Sequence, residues 1–375
     1  MSKIDFSILK TAQRLLLEVD LQPVQGTRFQ PTGFADLGAA RYALADGTEM
    51  LLVESAQSVA NRLEAAILED ATGDLIKDLK GLPYIKINIS AKNNPLGTTS
   101  TLSEAHRLNS GYLWGLTPDA NMVTLRTNLF EEFGMSTGNK KAKAKGKEAA
   151  SPDAPADSAE IAGLLNMPKI ARAIFKYDTN TVLHGVFLEK MAGRIRLARA
   201  ISGFIEARNV RVVESGGVKN DDVDPTGDAK LGLGNVPFRR TEFSAERITA
   251  FFNLDLALLR GYGLNDDAMN LLTALALLKV NLFLENGLRL RTACDLAVIG
   301  ELQVKRPTNF VLPNTSELLA AMPSYIAACK SLFASPAITE VSGTYDKKAK
   351  ADKNKPSAMD AGVDDTEDTS EDKGN

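Results

Sequence analysis

The sequence predicts an α+β fold, and three observations carry that expectation. Strand-like and helix-like periodicities both occur, but not in the regular rhythm of a parallel βαβ protein. Apolar residues make up 44% of 375, which allows a sizeable core in one large domain or two ordinary ones. Between Arg211 and Phe243, strand-like flanks (RVVESGG and VPFRRTEF) enclose Asp224, Pro225, Gly227, Gly232 and Gly234. That stretch reads as a long two-stranded excursion with a mobile tip.

The elements follow in order. Residues 13–20 (QRLLLEVD) read as an early strand and residues 50–53 as a short second one. Ser55 caps a helix expected to run to about Glu69, with Val59, Leu63, Ala66 and Ile67 as its apolar stripe. Gln57, Ser58, Asn61 and Arg62 fall on the other side. Residues 85–89 alternate as a strand, and residues 182–188 (VLHGVFL) read as a buried one. Residues 197–207 fit a helix burying Leu197, Ile201, Phe204 and Ile205. A strand is expected over 248–256. Residues 266–284 are apolar nearly all round, which predicts a buried helix between the cap residues Asn265 and Gly287. Residues 288–296 follow as a strand. Residues 134–160 and the tail from about Asp346 contain too few large apolar residues to offset ordering entropy, so disorder is expected there. No solenoid-type repeat is present.

Several function classes lose support at this stage. No run of about 18 or more uncharged apolar residues marks a membrane span, and MSKIDFSILK lacks the pattern of a signal peptide. The two cysteines, Cys294 and Cys329, point to a reducing cytoplasm rather than a disulfide framework. The histidines are His106, in SEAHRLNSG, and His184, in an apolar segment that favours a hydrogen-bonded core role. The sequence has no paired Cys or His spacing for zinc, no phosphate-binding P-loop and no nucleophile elbow. Gly232-Leu233-Gly234 alone does not make a dinucleotide site. No catalytic residue, metal or cofactor is therefore assigned.

Charge is distributed unevenly. The chain carries a net −3, but residues 356–375 hold seven acids against Lys373, a local −6, so the remainder is +3. Between Lys190 and Arg211, six bases face one acid, Glu206, a local +5. Such concentration suits a polyanion, although a solvated basic surface explains it equally well. Arg289 and Arg291 alternate with Leu288 and Leu290; in a strand they share a face about 6.6 Å apart, near the spacing of successive phosphates. Arg194 and Arg196 repeat the pattern between Ile195 and Leu197, with Arg199 nearby; ordinary surface arginines are the plain alternative. The start of the Ser55 helix is a potential anion site, and Gln57, Asn61 and Arg62 add donors beside it. Gln25-Gly26-Thr27-Arg28-Phe29-Gln30 combines a permissive glycine, donors and a stackable ring, which also suits a turn. The excursion supplies Ser215, Gly216, Gly217, Lys219 and Asn220, with Val218 and Val236 as apolar wedges. At 6% aromatic residues, backbone clamping is expected over base stacking.

At these residues the sequence resembles a known family. DLQPVQGTRFQPTGFADLGAARY, LLVESAQSVANRLEAAI, VLHGVFL, RLARAISGFIEA, ESGGVKNDDV and GLRLRTACDL, spanning Arg14 to Ile299, are similar to the backbone subunit of the type I-G (formerly I-U) CRISPR Cascade complex, in the RAMP superfamily. The resemblance implies a ferredoxin-like (RRM-like) palm with large insertions and a β-hairpin thumb. It implies one domain over residues 1–345, with a finger-like insertion at about 85–166 and the thumb at about 214–242, and an acidic tail at 346–375. It implies a cytoplasmic, non-catalytic subunit that binds CRISPR guide RNA, presents it to target DNA and stacks on copies of itself in a helical filament. Other Cascade subunits are the further expected partners, and a membrane is not. Gln25, Gly26, Arg28, Ser55, Gln57, Asn61, Arg62, Arg194, Arg196, Arg199, Lys219, Arg289 and Arg291 are the guide contacts this implies. Two alternatives stay open: a RAMP endoribonuclease using His106 as general acid/base, and an RNA-binding protein outside any complex. The acidic tail is further expected to mimic nucleic acid and screen the empty groove.

Overall fold

Leu15, Leu17, Val19 and Leu21 alternate with more exposed residues along the strand Arg14–Pro23, so one face of it needs cover. The computed structural model describes residues 4–34, 38–91, 94–134, 165–189, 195–231 and 233–345. In it this strand belongs to a seven-stranded sheet. The order across the sheet is Leu288–Arg291, Cys294–Arg306, Arg14–Pro23, Arg247–Asp255, Ile201–Arg208, Glu49–Glu54 and Arg41–Ala43. Every neighbouring pair is antiparallel.

The cover comes from helices. Ala56–Ala65 packs on Ile201–Arg208 and against Asp266–Glu285, which packs in turn against Thr315–Ala328. Leu63, Leu271, Leu275 and Leu278 meet Ile205, Ala250 and Leu254 of the sheet in one continuous core. Asp266–Glu285 is long and apolar enough to cross a membrane, but 72% of its apolar window is buried inside the protein, as befits a core helix. In chain order the central elements are Arg14–Pro23, Ala56–Ala65, Ile201–Arg208, Arg247–Asp255, Asp266–Glu285 and Cys294–Arg306. They run strand, helix, strand, strand, helix, strand, and the last strand lies beside the first. The fold is thus mixed, with a mainly antiparallel sheet, as the α+β expectation required.

Two excursions leave this centre. Tyr84–Ala91 pairs antiparallel with Asn94–Ser100 and in parallel with Ile338–Thr344, which also pairs with Thr117–Pro118. The strand Ile338–Thr344 therefore ties down Tyr84–Ala91 and Thr117–Pro118. Arg211–Lys219 and Val236–Ser244 form the hairpin expected from the sequence, in register from Arg211↔Ser244 to Lys219↔Val236.

Four expectations need correction. The segment 197–207 is not a helix: Ile195–Leu197 is a short strand and Ile201–Arg208 is another. Ile201 and Ile205, four apart, fit both periodicities, but Gly203 and Ala207 share their buried face at period two. Hydrogen-bonding partners on both sides then decide for strand. Residues 182–188 are not one strand either. Asp178 caps the helix Thr179–His184 by accepting from the Thr181 N–H, Gly185 turns at φ 75°, and only Val186–Leu188 is extended. The Ser55 helix ends at Ala65, short of Glu69. Residues 288–296 are two strands, Leu288–Arg291 and the start of Cys294–Arg306, joined at Ala293 with φ 60°. Apart from Gly134, the segment 134–160 lies outside the described residues, as do Lys190, Arg194 and the acidic tail.

Candidate nucleic-acid interface

Glu54 ends its strand with its side chain fully buried. A carboxylate there requires cationic or hydrogen-bonding partners. Arg62, one face along the following helix, donates from Nε to Glu54 Oε1 at 2.9 Å, and the Ser58 hydroxyl and Arg291 guanidinium close on the same carboxylate. Arg62 also donates to the Leu290 carbonyl, and Arg291 Nη1 donates to the carbonyls of Gln30 and Val53 at 3.1 and 3.0 Å. Burial holds both guanidinium pKa values below the ordinary arginine value. One carboxylate thus fastens together the Ser55 helix and the Leu288–Arg291 strand, whose Arg291 also holds the loop at Gln30. The expected outward pairing of Arg289 with Arg291 does not occur. Arg289 is 80% exposed beside Asp295 at 3.8 Å, whereas the Arg291 side chain, 24% exposed, turns inward. Leu288 and Leu290 are buried, so the period-two alternation holds along the strand, but its pairing register shifts between Arg289 and Arg291.

The loop at 25–30 joins the same surface from the other side. Gly26 adopts φ 67°, with nothing within 4 Å of where a Cβ would lie, so the left-handed turn alone calls for glycine. Phe29 is buried, not a free ring for stacking. Its backbone N–H and C=O both bond to Phe243, at 2.9 Å each, and so stitch the loop to the base of the hairpin. Arg28 then meets Glu242 at 3.2 Å, where Arg240 approaches at 3.9 Å and Ser215 donates at 2.8 Å. Arg28 remains 55% exposed on its outer side.

The Ser55 hydroxyl accepts from the Ser58 N–H at 3.2 Å and so caps its helix. Gln57 and Asn61 are exposed and bonded to each other at 2.9 Å, and Arg199 donates to Gln57 at 2.7 Å. Gln25 and Gly26 are exposed at the loop tip. These contacts form three groups: Arg62, Arg291 and the Arg289 carbonyl around Glu54; Gln57 and Asn61, on the helix that Ser55 caps, with Arg199; and Arg28 at Glu242, two residues from the Gln30 carbonyl that Arg291 holds. Arg196 faces outward on Ile195–Leu197, over the Phe187 ring at 5.4 Å. Lys219 is exposed at the far end of the hairpin strand, opposite Val236. Sequence reasoning missed Glu54, Glu242, Arg240 and Phe238. Phe238 is 48% exposed, and the period-two alternation of VPFRRTEF with Arg240 and Glu242 was the signal available for it.

His184 is buried, with Nε2 3.1 Å from Lys279 Nζ, which donates to the Leu63 carbonyl at 3.1 Å. Burial pushes His184 well below the ordinary histidine pKa and Lys279 down to about 7, and raises Asp178 to about 6. Glu64 on the Ser55 helix takes both ends of Arg107, at 2.5 and 2.6 Å. His106, next to Arg107, is exposed and makes no side-chain hydrogen bond or ion pair among the described residues. No group of three or more His, Cys, Asp or Glu suited to a metal ion occurs among the described residues.

The profile of the family described as "CRISPR-associated protein GSU0053" matches residues 15–212, more than half of the chain, and the protein belongs to this family. No curated protein sequence matches it. Among solved structures, a chain of "CRISPR RNA-guided surveillance complex, pre-nicking" is similar at 12% identity and TM-score 0.37, over 85% of this chain and 89% of that one. "Crystal structure of Thermofilum pendens Csc2" is similar at 8% identity and TM-score 0.32, over 88% and 92%.

Proposed function

We propose that this protein is a non-catalytic, guide-RNA-binding backbone subunit of a Cascade-type surveillance complex, of the type I-G kind. The carrying observation is the convergence of the 25–30 loop, the start of the Ser55 helix, Arg199, Arg289 and the hairpin base on one strip. Those donors come from five separate parts of the chain, which suits an extended polyanion better than a small ligand. In this reading residues 1–345 form one domain. Its strand–helix–strand–strand–helix–strand centre is a ferredoxin-like palm, the hairpin at about 214–242 is the thumb, and residues 85–166 contribute the finger-like insertion. Copies stack along the guide in a filament, with other subunits at its ends, and target DNA is read by pairing to the guide.

Arg28, Arg199, Arg289, Gln25, Gln57 and Asn61 hold the backbone directly. Ser55 acts through its helix start, and Arg62 and Arg291 act through Glu54. Arg196 and Lys219 extend the strip toward its edges. The test is purification of the full chain expressed beside a CRISPR array, followed by sequencing of retained RNA. Repeat-derived guides of uniform length are expected. Reversing the charge of Arg28 and Arg289 together should abolish retention while leaving the fold intact; unchanged retention removes the strip from the reading.

A further inference from the structure

Arg107 is 6% exposed and adopts φ 48°, a left-handed backbone that residues with a side chain rarely hold. Such a conformation persists where surrounding contacts over-determine it. Here the contacts come from the guanidinium. Its Nε and Nη2 donate to the two Glu64 oxygens at 2.5 and 2.6 Å, and its Nη1 donates to the Gly185 carbonyl at 3.0 Å. The planar fork thus meets three acceptors on two different parts of the chain. Glu64 lies near the end of the Ser55 helix, Ala56–Ala65, whereas Gly185 leads into the strand Val186–Leu188. Arg107 belongs to neither element; it comes from the chain between Asn94–Ser100 and Thr117–Pro118.

The strand after Gly185 pairs antiparallel with Ile195–Leu197, and the two form a sheet of their own, apart from the seven-stranded one. Arg196 faces outward from it, over the Phe187 ring. Gly185 backs directly on the chain that leaves this sheet. A Cβ on it would lie 2.6 Å from the Leu197 carbonyl oxygen and 2.9 Å from the Arg199 nitrogen. Arg199 in turn donates to Gln57, near the start of the Ser55 helix, at 2.7 Å. The helix and the small sheet are therefore joined at Gln57 through Arg199 and at Glu64 through Arg107. The helix carries Gln57 and Asn61 and the sheet carries Arg196, so the Arg107 fork sets the spacing between two groups of donors assigned above to RNA. The neighbouring backbone is also held by the Leu183 carbonyl at Ala200 and the Tyr262 hydroxyl at Ala198. Loss of the fork should accordingly tilt the small sheet rather than release it.

We propose that Arg107 is a positioning residue for RNA binding, holding the Arg196 sheet in register with the Ser55 helix. The proposal rests on the RNA-binding reading. It is tested by double-mutant cycles on the full-length protein, with affinity for a labelled single-stranded RNA read by fluorescence anisotropy and thermal stability read alongside. Arg107→Lys keeps the positive charge beside Glu64 and removes the fork. It should weaken RNA binding about fivefold, as should Arg196→Ala, the scale of one lost hydrogen bond. Combined, the two should weaken binding no further than Arg196→Ala alone, because the group that Arg107 positions is already gone. In the Arg28→Ala background Arg107→Lys should still cost its full factor, since Arg28 is held at Glu242 and shares no partner with Arg107 among the described residues. A role confined to fold stability predicts a lower melting temperature with unchanged affinity, or equal factors in both backgrounds, and either result overturns the proposal. Unchanged affinity in Arg196→Ala overturns it too. A wild-type protein that does not bind the RNA overturns the RNA-binding reading, and the proposal with it. Should Arg107→Lys fold poorly, Glu64→Gln opens the same fork from the helix side and should give the same pattern in both backgrounds.

Discussion

Arg289 and Arg291 look interchangeable in GLRLRTACDL, yet their surroundings separate stability from binding. Replacing Arg291 by Ala leaves Glu54 buried with one guanidinium instead of two, and frees the carbonyls of Gln30 and Val53. Breaking a buried pair from one side costs about 3–5 kcal/mol, so Arg291→Ala should lower denaturant stability on that scale. Arg289→Ala should change stability by less than about 0.5 kcal/mol, as exposed substitutions do, but weaken RNA retention. Equal stability losses in the two variants would show that Glu54 is not the organising group. Alternation with Leu288 and Leu290 places both arginines on one face of the strand, but the sequence does not show that Arg291 turns inward, because its partner Glu54 comes from a distant strand. Lys279 makes a second residue-level prediction. Its pKa falls from the usual lysine range to about 7 in the folded chain, so between pH 7 and its unfolded value the unfolded state binds the extra proton. Stability should therefore rise with pH across that window, by up to about 1.4 kcal/mol per pH unit. Denaturation series at pH 7 to 9 should show the rise in the wild-type protein and its loss in Lys279→Met.

Elements were legible where one periodicity stood alone. Asp266–Glu285, nearly all apolar between Asn265 and Gly287, was expected within a residue of its end, and the hairpin was visible from its glycines and its strand-like flanks. The segment around Ile201 to Ala207 was not legible, because an i, i+4 pair of isoleucines satisfies helix and strand alike. The deciding residue is Gly203. A Cβ there would lie 2.7 Å from the Phe252 ring and 3.0 Å from Val59, where the Ser55 helix crosses the strand. Gly203→Val should push that helix off the sheet at a cost of about 1–3 kcal/mol, typical of overpacking. Because the helix carries Gln57 and Asn61, RNA retention should fall along with thermal stability. A variant with reduced stability but full retention would mean that the helix is not part of the interface.

At the scale of the molecule, a chain with net charge −3 can hold RNA only through a local excess of positive charge, and much of that excess is already met by its own acids. Arg28 faces Glu242, Arg289 faces Asp295, and Arg62 and Arg291 share Glu54. Phosphates must therefore compete with carboxylates, so the affinity of a single copy should be modest and few cations should contribute to it. With Arg28, Arg196 and Arg289 as the outward-facing guanidiniums, the logarithmic salt slope for single-stranded RNA should be about −2, taking about 0.7 per neutralised phosphate. Between 50 and 200 mM salt that amounts to a loss of roughly one order of magnitude. Glu242→Gln removes the carboxylate that competes for Arg28 while leaving a hydrogen-bonding amide in its place. It should strengthen binding at low salt, and Arg28→Ala should weaken it and flatten the slope by about 0.7. Fluorescence anisotropy with a labelled single strand across that salt range measures all three proteins. If Glu242→Gln leaves both affinity and slope unchanged, Arg28 does not exchange its carboxylate for a phosphate, and the strip must hold RNA through Arg199, Arg289 and the helix start instead.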